Sequence, residues 1–428
     1  MSEHICEFQE YIRKTVTPYH SVEAGISLLE QSGFEELVMT APFSLRAGGK
    51  YFVKPYDTML FAFTVGEGEM GAQAFHIAAA HTDYPCLHLK PTAELAANGY
   101  LRLNTEVYGG PILNTWLDRP LSLAGRVALR SENIYKPELR LYNADRPLVT
   151  VPNLAVHMNR KVNEGVELKR QTDLLPLFGL HIGEGQEANY LLAFLAGELQ
   201  CKKEDILDFD LYVYNAEEGA CLGVNQEFFS APRLDNQTSC YALLRAIADG
   251  GRENGINVVA LYDNEEVGSH TKQGADSMLL MLLLEKIYSS LGMDKTALNE
   301  AILRSFLFSV DVAHALHPNH PEKYDPVNHS RMNDGIAFKI NINQRYTYDG
   351  EAIAIAQQIC EKAGVKFKKF VNHADMPGGG TLGPIISSWL PMKTVDIGVP
   401  ILAMHSAREL MGIEDEEAMI RMMTEFFS

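Results

Sequence analysis

The chain has 428 residues, of which 46% are hydrophobic and 21% charged, and its formal net charge is −18. That length exceeds one ordinary core, so two or three domains are expected. The acidic balance argues against nucleic-acid and anionic-membrane partners, since both need a basic footprint. In chain order, the opening "MSEHICEFQE" reads as an amphipathic surface helix rather than a signal peptide. "SVEAGISLLEQSGF" predicts a short helix capped by Ser21 and stopped by Gly33. "GKYFVKPY", "TMLFAFTVG" and "AFHIAAAHTD" predict strands. From 86 to 220 strands dominate: "CLHLKP", "YLRLNTEVYG", "LSLAGRVALR", "PELRLYN" and "LVTVPNLAVH", closed by the helix "EANYLLAFLAGELQ". From 221 onward helices alternate with strands: "DNQTSCYALLRAIADG" (helix), "INVVALYDN" (strand), "GADSMLLMLLLEKIYSSLG" (helix) and "LFSVDVA" (strand). "EAIAIAQQICEKAG" (helix), "KFKKFV" and "KTVDIGVPILAMH" (both strands) continue the alternation. This predicts an α/β fold over 1–85 and 221–428, a mixed sheet flanked by helices, interrupted by a β-rich domain over 86–220. The longest apolar run, "SMLLMLLL", is cut by Glu285 and falls short of a membrane span. Six scattered cysteines with no CxxC pair fit reduced thiols and a cytoplasmic address.

Acidic and histidine residues recur where the α/β strands end. They are His81 and Asp83 in "AAAHTDYP", Asp235 in "APRLDNQ", Glu265 and Glu266 in "DNEEVG", Asp311 in "FSVDVAHA", and His405 in "LAMHSA". Taken singly, each has an ordinary reading as a satisfied core histidine or a solvated turn. Active sites of open α/β sheets lie at the carboxyl ends of strands, however, so these residues are expected to converge. Two imidazoles, several carboxylates and no cysteine suit zinc or a similar divalent ion. His81 and Asp83 share a face on an extended strand, which lets Asp83 orient the imidazole. Of the two adjacent glutamates, one can hold metal while the other serves as general base toward water.

These stretches also resemble a family. "AHTDYPCLHLKP", "YGGPILNTWLDRPLSLAGR", "RLDNQ", "DNEEVGS", "SVDVAHALHPNHPEKYDP", "GIAFKININQRYTYD" and "GVPILAMHSARELM" are similar to aspartyl aminopeptidases, two-zinc metallopeptidases, in family order. The resemblance implies a cytosolic aminopeptidase acting on peptides, with a catalytic α/β domain, an inserted dimerisation domain at 86–220, and a homododecamer built from dimers. By motif, His81 and Asp311 would hold one zinc, Glu266 and His405 the other, and Asp235 would bridge both. Cobalt or manganese are the alternatives to zinc. Glu265 would be the general base and Asp83 would buttress His81. His157 matches a family histidine that reaches a neighbouring subunit's site and polarises the scissile carbonyl; its alternative is an ordinary strand histidine. Lys339 and Tyr346 match positions lining the pocket for the substrate's N-terminal side chain, which favours acidic residues; a snorkelling lysine on an edge strand is the alternative for Lys339. His314 and His317 match supporting histidines.

"DMPGGGTLG" replaces a Ser-Pro-Cys-Gly run found in some members of that family. Its "GGGTLG" also satisfies a dinucleotide-binding pattern, but Pro384 follows at once and the segment lies near the end of the chain, so a loop wall is the better reading. Two rival functions stay open. One is a metal-dependent amide hydrolase of other specificity (neutral-residue aminopeptidase, carboxypeptidase or deacylase). The other is a non-catalytic assembly or cargo protein, which should have lost a ligand or the base.

Overall fold

The computed structural model describes residues 3–68, 75–180, 189–376 and 378–428. The first residues of "AFHIAAAHTD" and "EANYLLAFLAGELQ", and Pro377 in "DMPGGGTLG", lie outside the described residues. Packing divides the chain into two units. The first comprises Met1–Asp83, Gly219–Met404 and Glu409–Ser428, and the second comprises Tyr84–Glu218 and His405–Arg408.

The first unit is built on a nine-stranded sheet. Its strands are β1 (Glu35–Glu36), β2 (Lys50–Tyr56), β3 (Met59–Val65), β4 (Phe75–His81), β5 (Ile256–Tyr262), β6 (Phe306–Val310), β7 (Ile336–Ile340), β8 (Phe367–Val371) and β9 (Lys393–Gly398). Their order across the sheet is β1-β2-β3-β5-β4-β6-β9-β7-β8. The four strands β5, β4, β6 and β9 run parallel, while β3 and β7 are antiparallel to their neighbours in that block. Every residue of β5 is buried, as expected for a parallel strand covered on both faces. Alternate residues serve opposite cores: Ala78, Ala80, Val259 and Leu261 pack on one side. Ile77, Ala79, Val258 and Ala260 pack on the other, against the helix Leu279–Ser290.

Helices close both faces, and their ends follow local chemistry. Asp294 caps Lys295–Leu303 by accepting from the Ala297 N–H at 2.8 Å, and Asp349 caps Gly350–Ala363 in the same way. The opening helix spans Glu3–Lys14, burying Ile5, Phe8 and Ile12 and exposing Glu10 and Arg13. A small second sheet in this unit joins Ala220–Leu222, Phe228–Ala231, Glu409–Gly412, Pro400–Leu402 and Ala313–His314. The second unit carries a six-stranded antiparallel sheet, ordered Glu138–Asn143, Leu121–Leu129, Ile206–Asn215, Cys86–Ala97, Tyr100–Tyr108 and Leu177–Leu180. No helix among the described residues is long and apolar enough to cross a membrane.

Several boundaries differ from the sequence reading. The second helix runs Pro18–Gln31 and is capped by Thr17, not Ser21. Pro18 lacks an N–H and favours the first helical position, so Ser21 falls inside the first turn, where its hydroxyl donates to Thr17 O at 3.1 Å. "LVTVPNLAVH" is not a continuous strand. Only isolated bridges form at Val149, Thr150 and Val151, and Pro152, which cannot donate to a ladder, ends the pairing. "KTVDIGVPILAMH" divides into β9 and Pro400–Leu402, which belong to different sheets.

Candidate metal centre

Three neighbouring parallel strands supply the site. Tyr262 pairs with His81 across β5 and β4, and Ser309 pairs with Ala79 across β6 and β4. The carboxyl ends of all three strands therefore open on one edge of the sheet, the usual crevice of open α/β folds. His81 ends β4, Asp263 to Glu266 follow β5, and Asp311 follows β6. The end of β4 is fixed from several sides. The Thr82 N–H donates to Tyr262 O at 2.7 Å, its hydroxyl donates to Thr58 O at 2.8 Å, and Cys240 Sγ donates to His81 O at 3.0 Å. From the start of the helix Leu234–Asp249, Gln237 Nε2 donates to Thr82 O and Asn236 Nδ2 to Val310 O, each at 2.9 Å. These two amides anchor the buried Asp235 beside the strand ends, and its N–H donates to Glu409 Oε2 at 3.0 Å.

The His81 ring is buried, with Nδ1 donating to Asp83 O at 3.1 Å and lying 3.3 Å from Asp83 Oδ1. The neutral ring therefore presents Nε2 as its acceptor. That nitrogen lies 3.5 Å from Asp235 Oδ1 and 3.5 Å from Asp311 Oδ1. Ligand atoms of His81, Asp235 and Glu266 all fall within 4.8 Å of one another. Lone pairs converging this way repel, and either a proton on Nε2 or a cation offsets the repulsion. A proton is favoured there: burial opposes the imidazolium, but Asp311 and Asp83 hold His81 well above its ordinary value. A divalent cation does so with twice the charge, and nitrogen-plus-carboxylate donors match zinc. The donor set fits the metal.

Asp83 explains the doubled glutamate. Its buried carboxylate accepts the Glu265 N–H through Oδ1 at 3.2 Å and the Glu266 N–H through Oδ2 at 3.1 Å. The chain enters this turn through Asn264 in the left-handed region, φ 61, a conformation that asparagine tolerates better than most residues. One carboxylate thus orients His81 and holds the turn that carries both glutamates. Glu265, half-buried, is pushed up to about 8 by burial, with the charges of Asp311, Asp83 and Asp235 adding and His81 opposing. Such a group sits near neutral pH, where a general base works best. Asp263, fully buried behind the turn, is raised to about 7 by burial and the charge of Asp83.

For Lys339 the alternative of a snorkelling edge lysine falls. It lies on β7, which is interior to the sheet, and it is only 3% exposed, so it does not snorkel from an edge. Its Nζ donates to Val312 O at 2.9 Å, Asp311 Oδ2 at 3.1 Å and Asp311 O at 3.4 Å, and it sits 5.0 Å from the centre of the Tyr346 ring. Burial works against Asp311 ionising, but Lys339 and His81 together hold its carboxyl well below the usual range. Tyr346 is also buried, and its hydroxyl accepts from Asn372 Nδ2 at 3.4 Å.

His157 and His405 belong to the second unit. His157 lies in an exposed turn rather than a strand. His405 follows Pro400–Leu402 in a turn, with φ 66, and its Nδ1 donates to Gly110 O at 3.1 Å, which leaves Nε2 as the acceptor of the neutral ring. His314 lies on a two-residue strand near Phe370, and His317 Nδ1 accepts the Asn319 N–H. Gly383 of "GGGTLG" has a packing reason, since a Cβ there would lie 2.4 Å from Asp396 Oδ2. The sequence reading did not single out Asn236, Gln237 or Glu409. The two amides directly after Asp235 were the available signal, whereas Glu409 meets Asp235 only through the fold.

Histidine and carboxylate donors at the carboxyl ends of adjacent parallel strands, with a glutamate poised beside them, are the arrangement of a metal-dependent hydrolase. Residues 11–427 match the family model described as Aminopeptidase I zinc metalloprotease (M18), and the chain belongs to that family of metallo-aminopeptidases. The probable M18 family aminopeptidase 2 of Clostridium novyi (strain NT) is 44% identical over 423 residues, covering 99% of this chain and 98% of its own. Among solved structures, that of an Ape4 and Nbr1 complex matches with a TM-score of 0.94 at 33% identity, over 99% of this chain and 85% of that one. An mApe1 dodecamer from S. cerevisiae matches with a TM-score of 0.85 at 26% identity, over 99% of this chain and 96% of its own.

Proposed function

We propose that this chain removes N-terminal residues from peptides in the cytoplasm using two zinc ions per subunit. The observation that carries the reading is the convergence of His81 Nε2 with Asp235 Oδ1 and Asp311 Oδ1, 3.5 Å away in each case, beside Glu266 and Glu265. His81 and Asp311 would hold one ion, Glu266 and His405 the other, with Asp235 between them. The fixed Nδ1 bonds of both histidines support this, since each presents Nε2 as a ligand. Bound zinc supplies Lewis-acid polarisation of the scissile carbonyl and a lowered pKa for water.

Glu265 accepts the proton of the attacking water and passes it to the leaving amine. Asp83 keeps Glu265 in reach through its backbone N–H. His157 donates to the developing oxyanion of a neighbouring subunit. Its exposure within its own chain suits a residue that acts on a partner. The likeness to a dodecamer supports the same assembly here, with the second unit as the dimerisation domain and the first as the catalytic one. Acidic selectivity is proposed on the family resemblance alone.

The test is Glu265→Gln, which keeps the volume and removes the base. The expected protein binds zinc like the wild type and loses about two to four orders of magnitude in turnover. Near wild-type turnover sinks the assignment.

A further inference from the structure

The short turn His405–Arg408 packs with the second unit, although the chain on either side of it, up to Met404 and from Glu409, packs with the first. The hydrogen bonds of the turn give the reason. The Ile112 N–H donates to His405 O at 2.9 Å, and His405 Nδ1 donates to Gly110 O at 3.1 Å. One segment of the second unit thus holds both the backbone and the ring of His405. Two residues further on, side chains take both backbone groups of the buried Ala407. Its N–H donates to Thr115 Oγ1, and its carbonyl accepts from Asn215 Nδ2, each at 2.9 Å.

These two partners are themselves fixed. Thr115 lies in the 3-10 turn Leu113–Trp116, which the buried Trp116 anchors. Its hydroxyl donates to Ile112 O at 2.6 Å, so the oxygen that receives Ala407 is tied to the segment that holds His405. Asn215 ends Ile206–Asn215, a strand paired on both sides within the six-stranded sheet. Its Oδ1 accepts the Glu217 N–H at 3.0 Å, which sets the direction of the amide. The turn needs such support. His405 has φ 66 and Ala403 has φ 57. Residues with a Cβ seldom adopt this left-handed region, and a backbone held there persists only where its surroundings over-determine it.

We infer that Thr115 and Asn215 are positioning residues for His405, and that the second unit, besides its proposed part in dimerisation, sets the zinc affinity of one of the two ion sites. This rests on His405 being a metal ligand, as proposed above. Both side chains bond to Ala407, so they act on the imidazole through the backbone of the turn. Thr115→Val keeps the shape of the side chain and leaves the buried Ala407 N–H without its acceptor. In the zinc-free variant the turn relaxes away from that arrangement, and binding of zinc has to restore it. An unpaired buried donor costs about 5- to 100-fold in an equilibrium constant.

The experiment compares wild type, Thr115→Val, Thr115→Ser, Asn215→Ala and His405→Gln as purified full-length proteins. Stepwise zinc affinity is read by competition with a chromophoric chelator, and the mass of the assembly by light scattering. Thr115→Val is expected to weaken one zinc site by about 5- to 100-fold and to leave the other site and the mass of the assembly unchanged. Thr115→Ser, which keeps the hydroxyl, is expected to restore the wild-type affinity. Asn215→Ala is expected to weaken the same site, and it carries the comparison if Thr115→Val does not fold. Wild-type affinity at both sites in whichever variant folds, an equal loss at both, or a loss that Thr115→Ser does not restore overturns the inference. A loss that appears only where the assembly falls apart overturns it too, because the effect then belongs to dimerisation. His405→Gln that still binds two ions with wild-type affinity overturns instead the reading of His405 as a ligand.

Discussion

Replacing Asp83 by asparagine tests whether one carboxylate organises the centre. The side chain is fully buried, and its two oxygens accept the N–H groups of Glu265 and Glu266 at 3.2 and 3.1 Å, with His81 Nδ1 3.3 Å from Oδ1. Asparagine keeps a single acceptor oxygen and puts an NH2 in place of the other. Whichever way the amide turns, one backbone N–H of the glutamate turn faces a donor. A hydrogen bond to a charged group is worth about 1.5–3 kcal/mol. At about 1.4 kcal/mol per tenfold, that loss amounts to roughly 10- to 100-fold in the affinity of the site for zinc. This matches what removing an outer partner of a metal-bound histidine is expected to cost. The charge lost also lowers Glu265 and Asp263, both raised in part by Asp83, toward ordinary carboxylate values. Chelator competition gives the affinity, and thermal melts of the zinc-free protein give the loss in stability. Asp83→Asn protein with zinc affinity within about twofold of wild type and an unchanged melting temperature would refute the reasoning.

Two further outcomes are expected. His157→Ala subunits mixed with Glu265→Gln subunits should regain activity, because each supplies what the other lacks; confirmed mixed assemblies with no recovery would show that each subunit supplies its own histidine or none. The zinc-free protein should lose stability as pH rises. Glu265, Asp263 and Asp415, the last buried in the first turn of the helix Ile413–Phe426, have folded-state values of about 8, about 7 and about 7, each raised first by burial. Their contribution is whole below the ordinary carboxylate value and is lost as pH climbs through those values, so a melting temperature that rises from about pH 5.5 to about pH 8.5 refutes the assignment.

The strand ends were legible because apolar runs stop abruptly in polar residues: "AAAHTD", "ALYDNEE" and "FSVDVA" each mark where a buried parallel strand leaves the core. Residue type then identified the chemistry. What the sequence hid was long-range. The break of "KTVDIGVPILAMH" at Gly398 follows from the carbonyl of Asp311, distant in sequence. The alternative of an edge lysine stayed open for Lys339 because nothing local reveals that β8 covers its strand. The strand Ile206–Asn215 was missed where a helix closed the segment, although it pairs on both sides in its sheet. Where the carboxylate of Asp83 would go was visible only in part: its spacing suggested His81, but not the two backbone N–H groups.

The order of strands in the main sheet has a consequence for synthesis. β3 and β4 are near neighbours in the chain, yet β5 lies between them, and β5 is translated only after the long segment Tyr84–Glu218 of the second unit. While the ribosome builds the intervening chain, at about 5–20 residues per second, β3 and β4 each present a bare edge toward the gap that β5 will fill. Exposed apolar edges of this kind are templates for wrong pairing between chains. His81 emerges early with Asp83 beside its Nδ1, but its Nε2 meets no carboxylate until β6 has followed and the helix bearing Asp235 has docked. Zinc capture by the nascent chain is therefore a late event, and a protein stalled before residue 311 should appear in the cell as an aggregation-prone, metal-free species rather than as a partly loaded enzyme.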